Sequence, residues 1–468
     1  MTFSSRARDQ RSASTGSRRG LALWFIFACA LLCRASTAWA GNDDGILLGN
    51  DAALVGGAVV STVSDGSALW YNPAGLALSS KDSVDVSASA FVLRHYNMPG
   101  LLSADGGSGG NASFTELVSV PSAVTYVRRF NPRLIGALGL FASEVGDVIL
   151  RSSLAIPINQ VDVNVKFLIT DQIARYHLAL GLAGRLGRRV TFGAAAFGDY
   201  DSESGLTQVA ATDSVGSTPF GSAVSSAFEQ DKVLGAHLRV GMTYQPLANV
   251  RIGGSLQSAG AYFYRSTRST TIDSTTAPNA DATQLDLSAA SSEQSASKFA
   301  VGRYSPWRAR LGGSVLLASG VTLSIEGDVQ TKLDNHVVDI ERRFTWNLRA
   351  GARIALSENL SLGGGLFTDR SPARTDELGA GRVDFYGGTL GGQYQTVRWL
   401  ARDASASAAP TGAKPGVTFA STVAVRYAYG SGKLTGQRLT APSFDPQGNA
   451  VEVAVHEVTV HLGSGVSF

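Results

Sequence analysis

Charged residues, cysteine and long apolar runs are all scarce in this chain of 468 residues. Only 16% of the residues are charged, against roughly 25% in an ordinary soluble protein. Both cysteines, Cys29 and Cys33, lie within the first 40 residues, so the remainder has no disulfide, no cysteine-ligated metal and no thiol nucleophile. The six histidines show no HExxH-type spacing. The sequence therefore predicts neither a metal site nor a cofactor.

An excess of basic residues is also missing. The chain has 40 Lys and Arg against 37 Asp and Glu, a net charge of +3. Six of the arginines and one aspartate fall within residues 1–40, which leaves 34 basic and 36 acidic residues in the rest. A nucleic-acid-binding protein carries a clear basic excess, so nucleic acid is not expected as a partner.

Residues 1–40 have the pattern of a signal peptide. Arginines crowd its front, and an apolar run from Leu21 to Cys33 follows. That run is shorter than the ~20 residues of a membrane-spanning helix, as is usual for the core of an export signal. Ala38 and Ala40 are the small residues expected before a cleavage site, which predicts a cut between Ala40 and Gly41.

After residue 40, apolar and polar residues alternate in the manner of β-strands. In residues 234–244, Leu234, Ala236, Leu238, Val240 and Met242 share one face, while His237 and Arg239 share the other. The same alternation recurs in 321–330 and 346–356. No stretch in this part of the chain reaches 18 uninterrupted apolar residues, so no transmembrane helix is predicted.

The spacing of the connections favours a membrane barrel over a soluble sandwich. Short turns such as 131–133 and 187–189 alternate with long polar stretches, which we predict to be loops: 95–115, 152–160, 201–228, 265–296, 332–339 and 370–381. Tight turns at one rim and long loops at the other are typical of outer-membrane barrels. We count fourteen strands in residues 81–468; only the long connection 398–415 departs from the pattern. The predicted fold class is all-β: a fourteen-stranded antiparallel transmembrane β-barrel in the outer membrane of a Gram-negative bacterium, bordered by lipid and lipopolysaccharide.

The last strand ends on an aromatic residue. Val458, Val460, Leu462, Val466 and Phe468 all have one parity. A terminal Phe on an alternating strand resembles the C-terminal signature of bacterial outer-membrane proteins, and this resemblance implies the barrel-assembly machinery as a partner that recognises Phe468.

Residues 41–80 do not alternate, and they contain a distinctive run, 67–77, centred on Asn72-Pro73-Ala74-Gly75. This run resembles the "NPA" signature of the FadL/TodX-type outer-membrane transporters of hydrophobic compounds. Further similarity lies in 120–127, 136–141, 345–351 and 364–372. The resemblance implies an N-terminal hatch, residues 41–80, inside a fourteen-stranded barrel, and passive uptake of small hydrophobic or amphipathic molecules such as fatty acids or hydrocarbons.

The signature residues have two interpretations. Pro73 fixes its own φ and favours an extended Asn72, and the Asn72 side chain can hold a turn. Asn72, Pro73, Ala74 and Gly75 therefore either maintain the shape of the hatch or contact the ligand directly.

If apolar side chains face lipid, the opposite parity lines a cationic lumen. The ligand-binding candidates there are Arg239, Arg308, Arg349 and Arg353. Asp43, Asp44, Asp51 and Asp65 lie in the hatch, which has no Lys or Arg between residues 41 and 80. These aspartates are candidates for seating the hatch by pairing with lumen arginines, since pairing offsets the desolvation of a buried charge. Alternatively, one or two arginines bind a ligand carboxylate.

The third strand is interrupted by residues 143–147, which include Gly146. Glycine within a strand often marks a bulge or bend. In the resembled family a kink in the third strand opens a lateral gap toward the membrane, so Gly146 is our candidate for such an opening and for release of ligand into the membrane.

Plug-gated transport is thus the leading hypothesis, with no enzymatic activity expected. The alternatives are a general or anion-preferring porin, and a structural or adhesive outer-membrane barrel. An outer-membrane hydrolase would need a Ser/His/Asp cluster, and no GxSxG motif accompanies any histidine.

Overall fold

The computed structural model describes residues 45–104, 110–158, 161–215, 218–278, 285–335, 340–373, 381–399, 416–440 and 445–468. The predicted signal peptide, the hatch residues Asp43 and Asp44, and most of the connection 398–415 lie outside these ranges. None of the helices within them is long and apolar enough to cross a membrane.

The chain begins with a compact segment, residues 45–79, here called the N-terminal segment. It contains two short helices, α1 (Asn50–Leu54) and α2 (Ala68–Tyr71), and a 3-10 helix, η1 (Pro73–Leu78). Pro73 starts η1 without loss because the first N–H of a helix has no intrahelical partner. Asn72 caps it, since its side chain accepts a hydrogen bond from the Ala74 amide.

Eighteen strands follow within the described residues. They are β1 (Ser83–Ala104), β2 (Gly110–Asn131), β3 (Leu134–Ile158), β4 (Val161–Leu186), β5 (Val190–Val215), β6 (Thr218–Leu247), β7 (Val250–Gln257), β8 (Gly260–Pro278), β9 (Leu285–Ser305), β10 (Arg308–Leu316), β11 (Val321–Gln330), β12 (Leu333–Asn335), β13 (Ile340–Arg342), β14 (Thr345–Ala355), β15 (Leu360–Asp369), β16 (Gly381–Trp399), β17 (Gly416–Thr440) and β18 (Asp445–Ser467).

Fourteen of these strands close into a ring. Hydrogen-bonded neighbours run from β1 through β7 to β10, β11 and β14, then through β18 back to β1, with antiparallel pairing between neighbours. The predicted all-β, fourteen-stranded antiparallel barrel is therefore confirmed. β8 and β9 are not counted as separate strands of the ring. They form a hairpin that extends β7 and β10, and β8 pairs with residues 222–236 of β6.

Alternation fixes which side chains face outward. Leu238 and Val240 are 59% and 50% exposed, whereas His237 and Arg239 between them are 6% and 2% exposed. Exposed leucines, valines and aromatics recur on every long strand, so the outer surface is apolar and the inner surface carries the polar and charged groups.

Several stretches predicted as loops are instead paired strands. Residues 201–228 belong mostly to β5 and β6, which pair almost to their tips, and residues 265–296 contribute to the β8–β9 hairpin. These stretches are rich in Ser and Thr and have no apolar face. Strands that extend beyond the lipid need no apolar face, because their backbone hydrogen bonds are made between strands and both faces of the sheet meet water.

Candidate functional site

The N-terminal segment touches opposite sides of the ring. A Cβ added to Gly253 of β7 would lie 2.2 Å from the Val60 carbonyl oxygen, and one added to Gly463 of β18 would lie 1.6 Å from Asn50 Oδ1. β7 and β18 are the seventh and fourteenth strands of the ring. Only glycine permits such close backbone approach, and the segment therefore reaches both walls.

Asn72 is completely buried, and its amide is fully occupied. Nδ2 donates to the Val60 carbonyl oxygen (2.7 Å), to Thr243 Oγ1 (3.1 Å) and to the Met242 carbonyl oxygen (3.2 Å). Oδ1 accepts from the Ala74 amide at 3.2 Å. The side chain thus joins two parts of the N-terminal segment to β6, which favours the structural interpretation over ligand contact.

The rest of the signature packs in the same way. Pro73 and Ala74 are buried, and the backbone of Pro73 lies against Gly193 of β5. A Cβ on Gly75 would lie 2.4 Å from the Val63 carbonyl oxygen. All three residues therefore face protein, and the small size of Gly75 is required by the neighbouring chain.

Two carboxylates of β11 bind two of the four candidate arginines. Glu326 Oε2 accepts from the amides of Val59 and Val60, at 2.9 and 2.8 Å, and its Oε1 lies 3.2 Å from Arg349. Asp328 accepts from Arg308 and, at 3.0 Å, from Arg310. All five charged side chains are buried. This set, the β11 charge cluster, places Arg308 and Arg349 in structural ion pairs and fixes the segment to the wall.

Arg353 makes a more exposed contact. It donates to Asp51 at 3.0 Å and to Ser361 at 3.1 Å, and it also bonds Gln393. Asp51 and Arg353 line a cavity of about 310 Å³ near the short turn 248–249. The expected pairing of a segment aspartate with a lumen arginine is thus seen at Asp51.

Asp65 behaves differently. Its carboxylate accepts from the Ser67 amide at 3.0 Å and from the Ser67 hydroxyl. Across the described ranges it has no ion pair with an arginine, so the seating contact expected for it is replaced by a local turn. Burial, together with the nearby charges of Asp51 and Asp85, raises the pKa of Asp65 to about 8.

Arg239 lies against aromatic rings. Its guanidinium carbon is 4.8 Å from the centre of Trp70 and 5.2 Å from the centre of Phe197, and it donates to Gln257. Cation–π contacts of this kind stabilise a desolvated guanidinium. Arg239 therefore contacts the N-terminal segment through Trp70.

The ladder between β2 and β3 ends early. It runs from Asn131–Leu134 to Ala123–Phe141, whereas β1–β2 and β3–β4 continue to the strand ends. In the part of the chain described, residues 110–122 of β2 and 142–158 of β3 have no mutual backbone pairing; this is called here the unpaired seam. Gly146 lies in it, and Glu116 of β2 spans it by accepting from the Asp147 amide at 3.0 Å.

One polar group was missed by the sequence analysis. Asp199 of β5 accepts from His177 Nδ1 (2.6 Å), from His237 Nδ1 (2.8 Å) and from the Tyr304 hydroxyl. His177 Nε2 lies 2.8 Å from Ser143 Oγ. This group, the Asp199 cluster, borders Trp70, whose ring centre is 5.0 Å from that of His177. Alternation marked His237 as inward, but nothing in the sequence indicated that these five residues meet.

Among the described residues, His177, Asp199 and His237 are also the group able to offer three metal-ligand atoms within 4.8 Å of one another. The nitrogen–oxygen separations of 2.6 and 2.8 Å are hydrogen-bond distances. Ligands about 2.1 Å from a tetrahedral zinc would be roughly 3.4 Å apart. The arrangement therefore fits hydrogen bonding to a shared carboxylate better than metal coordination.

Comparison with solved structures identifies the fold. A Pseudomonas aeruginosa FadL homologue matches over 91% of this chain and 99% of its own, with 13% identity and a TM-score of 0.53. The Pseudomonas putida toluene transporter TodX matches over 92% and 99%, with 11% identity and a TM-score of 0.51. No family model and no curated sequence matches. The chain therefore has the FadL/TodX-type fold expected from its NPA run.

Proposed function

We propose that this protein takes up small hydrophobic or amphipathic molecules across the outer membrane of a Gram-negative bacterium. The observation that carries the proposal is a closed barrel with an apolar outer surface and a polar inner one, whose inner wall is contacted by the N-terminal segment at both β7 and β18. The fold is shared with a protein described as a toluene transporter. Within this proposal residues 1–40 are a cleaved leader, residues 41–80 a hatch and residues 81–468 the barrel.

The route begins in the lumen above Trp70 and leaves sideways through the unpaired seam. Trp70, Phe141 and Phe197 form a buried aromatic cluster, with ring centres 5.7–6.4 Å apart, which makes the protein behind the start of the route apolar. The seam begins beside Phe141, where the β2–β3 ladder stops. A ligand that leaves there enters the lipid and never needs to displace the segment.

A porin for anions is disfavoured by the pairing of the lumen arginines. Arg308, Arg310 and Arg349 bind Glu326 and Asp328, so their charge is compensated before any solute arrives. The segment also crosses the path that a freely conducting pore would need.

The first test is substrate uptake. Cells that lack the gene and complemented cells are compared for uptake of radiolabelled alkanes, aromatics and fatty acids. We expect at least one class to enter faster with the gene present. Equal uptake of every compound in both strains would overturn the proposal.

The second test closes the seam. No cysteine occurs after residue 40, so introduced pairs can be joined selectively. A bismaleimide bridge between Glu116→Cys and Gly146→Cys should abolish uptake. The matched control bridges Leu93→Cys and Leu117→Cys, which are already paired neighbours in the β1–β2 ladder, and should leave uptake unchanged. Unimpaired uptake in the bridged 116/146 variant would exclude lateral exit while leaving transport itself intact.

A further inference from the structure

The Asp199 cluster contains a relay from a serine through a histidine to a carboxylate. Ser143 Oγ is 2.8 Å from His177 Nε2, and His177 Nδ1 is 2.6 Å from Asp199 Oδ1. Both distances lie within the range that links a nucleophile to its general base and that base to its orienting group. The three residues come from β3, β4 and β5, adjacent strands of the ring.

The protonation of the relay follows from the carboxylate. An ionised carboxylate only accepts hydrogen bonds, so the Nδ1 that faces Asp199 carries the proton. A neutral imidazole then presents an unprotonated Nε2, and that atom accepts from the Ser143 hydroxyl. Asp199 is buried, and the Tyr304 hydroxyl and His237 Nδ1 also donate to it, which keeps it ionised and fixed in place.

Ser143 occupies a β-bulge. The β3–β4 register passes directly from Ala142–Tyr176 to Glu144–Arg175, leaving Ser143 without a cross-strand partner. A bulge re-aims one side chain and removes one backbone N–H from the ladder. Ser143 is also at the start of the unpaired seam, so its hydroxyl is half-buried at the edge of the lumen.

We propose that Ser143, His177 and Asp199 form a nucleophilic site that cleaves carboxylic esters of apolar acyl chains. Ser143 and His177 are its catalytic residues, and Asp199 is a positioning residue that holds the imidazole. The buried aromatic cluster of Trp70, Phe141 and Phe197 borders His177 and makes the surroundings of the site apolar, which favours an apolar acyl group. This activity does not depend on the proposed transport, and either can fail without the other.

The chemistry needs only the ester and water. Ser143 Oγ forms a bond to the ester carbonyl carbon while its proton passes to His177 Nε2. The carbon–oxygen bond to the alcohol then breaks, and the alcohol leaves with that proton. Water attacks the acyl-serine by the same route, which releases the carboxylic acid and restores the hydroxyl. We assign stabilisation of the oxyanion to the Ser143 amide, because the bulge leaves Ser143 without a cross-strand partner.

Covalent labelling tests the site directly. The full chain, purified in detergent, is treated with a fluorophosphonate probe, and the modified residue is located by mass spectrometry. We expect phosphonylation at Ser143. His177→Phe should slow labelling by about 10²-fold or more because the general base is lost. The same preparations should release p-nitrophenol from p-nitrophenyl butyrate only when Ser143 is present.

Three variants serve as controls. Ser143→Ala removes the nucleophile, and Ser153→Ala removes an exposed serine of the same strand, which should not change the rate. His95→Phe removes an exposed histidine of β1 that lies outside the Asp199 cluster, so it should not change the labelling rate. A shift in gel mobility on heating that equals the wild-type shift verifies that the barrel of each variant is folded.

The proposal is overturned by any of three results: no label on Ser143 in the folded wild-type chain, equal labelling of wild type and His177→Phe, or a rate that requires added zinc and disappears with EDTA. The last result would assign the histidines to a metal ion instead.

Discussion

Two buried carboxylates on the inner wall, Glu326 and Asp199, show how similar residues can serve different ends. Glu326 directs one oxygen at the amides of Val59 and Val60 and the other at Arg349. Asp199 bonds two imidazoles and a phenol, all from the barrel wall. Glu326 therefore joins the wall to the N-terminal segment through fixed backbone donors, whereas Asp199 orients two imidazoles, and one of them, His177, directs its Nε2 at Ser143.

The comparison teaches that inward position does not distinguish an anchor from a reactive group. Both residues have the parity of the lumen, and both are at most 4% exposed. What differs is the donor: a backbone amide cannot transfer its proton, while an imidazole can pass one on. If the distinction is correct, substitutions at the β11 charge cluster should change the stability of the N-terminal segment and leave serine labelling intact.

The largest effect is expected at the anchor itself. Glu326→Gln removes the carboxylate charge beside the buried Arg349 and weakens two backbone bonds, which costs on the order of 3–5 kcal/mol. Faster protease cleavage of the segment and a higher bilayer conductance would follow. Glu293→Gln is the matched control, because Glu293 is 56% exposed in its pair with Arg268. Equal protease resistance of both variants would contradict the anchoring role.

The second-largest effect is expected at Asn72. Asn72→Ala leaves the Ala74 amide and the Val60 carbonyl without their buried partner, at about 1–3 kcal/mol. Asn72→Asp tests the donor half alone, since a carboxylate keeps the bond to Ala74 but repels two carbonyl oxygens. We expect Asn72→Asp to lower the protease resistance of the segment at least as much as Asn72→Ala does. Wild-type protease resistance in either variant would show that Asn72 does not hold the N-terminal segment in place.

A smaller effect is expected at the rim. Asp51 and Arg353 are 20% and 31% exposed, and ion pairs in contact with solvent contribute roughly 0.2–1 kcal/mol. Asp51→Asn should therefore raise conductance slightly, and more at low than at high salt, because screening already weakens the wild-type pair. An effect as large as that of Glu326→Gln would remove the contrast between buried and exposed seating.

The smallest effect at acid pH is expected at Asp65. Its pKa is raised from 3.8 to about 8, so the folded state retains a proton that the unfolded state has lost between these values. Stability therefore falls as pH rises from about 4 to about 8. Asp65→Asn should abolish this slope and leave the segment more stable than wild type, by a margin that grows from about pH 4 to about pH 8. Melting curves of protease resistance at pH 5, 7 and 9 would measure it, and parallel pH profiles would contradict it.

Much of the fold could be predicted from sequence because a barrel strand shows its two environments along its length. Leu238 and His237 differ in exposure as their parity requires. Strand ends could not be predicted in the same way. The Ser- and Thr-rich tips of β5 and β6 carry no apolar face, so the pairing that extends them is invisible to alternation.

The Asp199 cluster was harder to predict from the sequence, for a related reason. Ser143, His177 and Asp199 are distant in sequence, and their meeting depends on register. His177 lies directly opposite Asp199, but Ser143 reaches them only because one bulge shifts β3 by a residue. No pattern within a single strand encodes the alignment of its neighbours. The NPA run, in contrast, could be recognised because its contacts begin with its own turn.

The ladder between β1 and β18 closes the ring and has a consequence for biogenesis. β1 pairs with β18 from Ser83–Ser467 to Asn97–Ala454, and the Phe468 amide donates to the Asp82 carbonyl oxygen at 3.0 Å. Contacts between residues so far apart in sequence form slowly, because loop-closure entropy is lost before they can stabilise the chain. Until that step both edge strands expose unpaired backbone and invite aggregation. The time for which these edges stay open to other chains is thus determined by the longest-range ladder in the molecule.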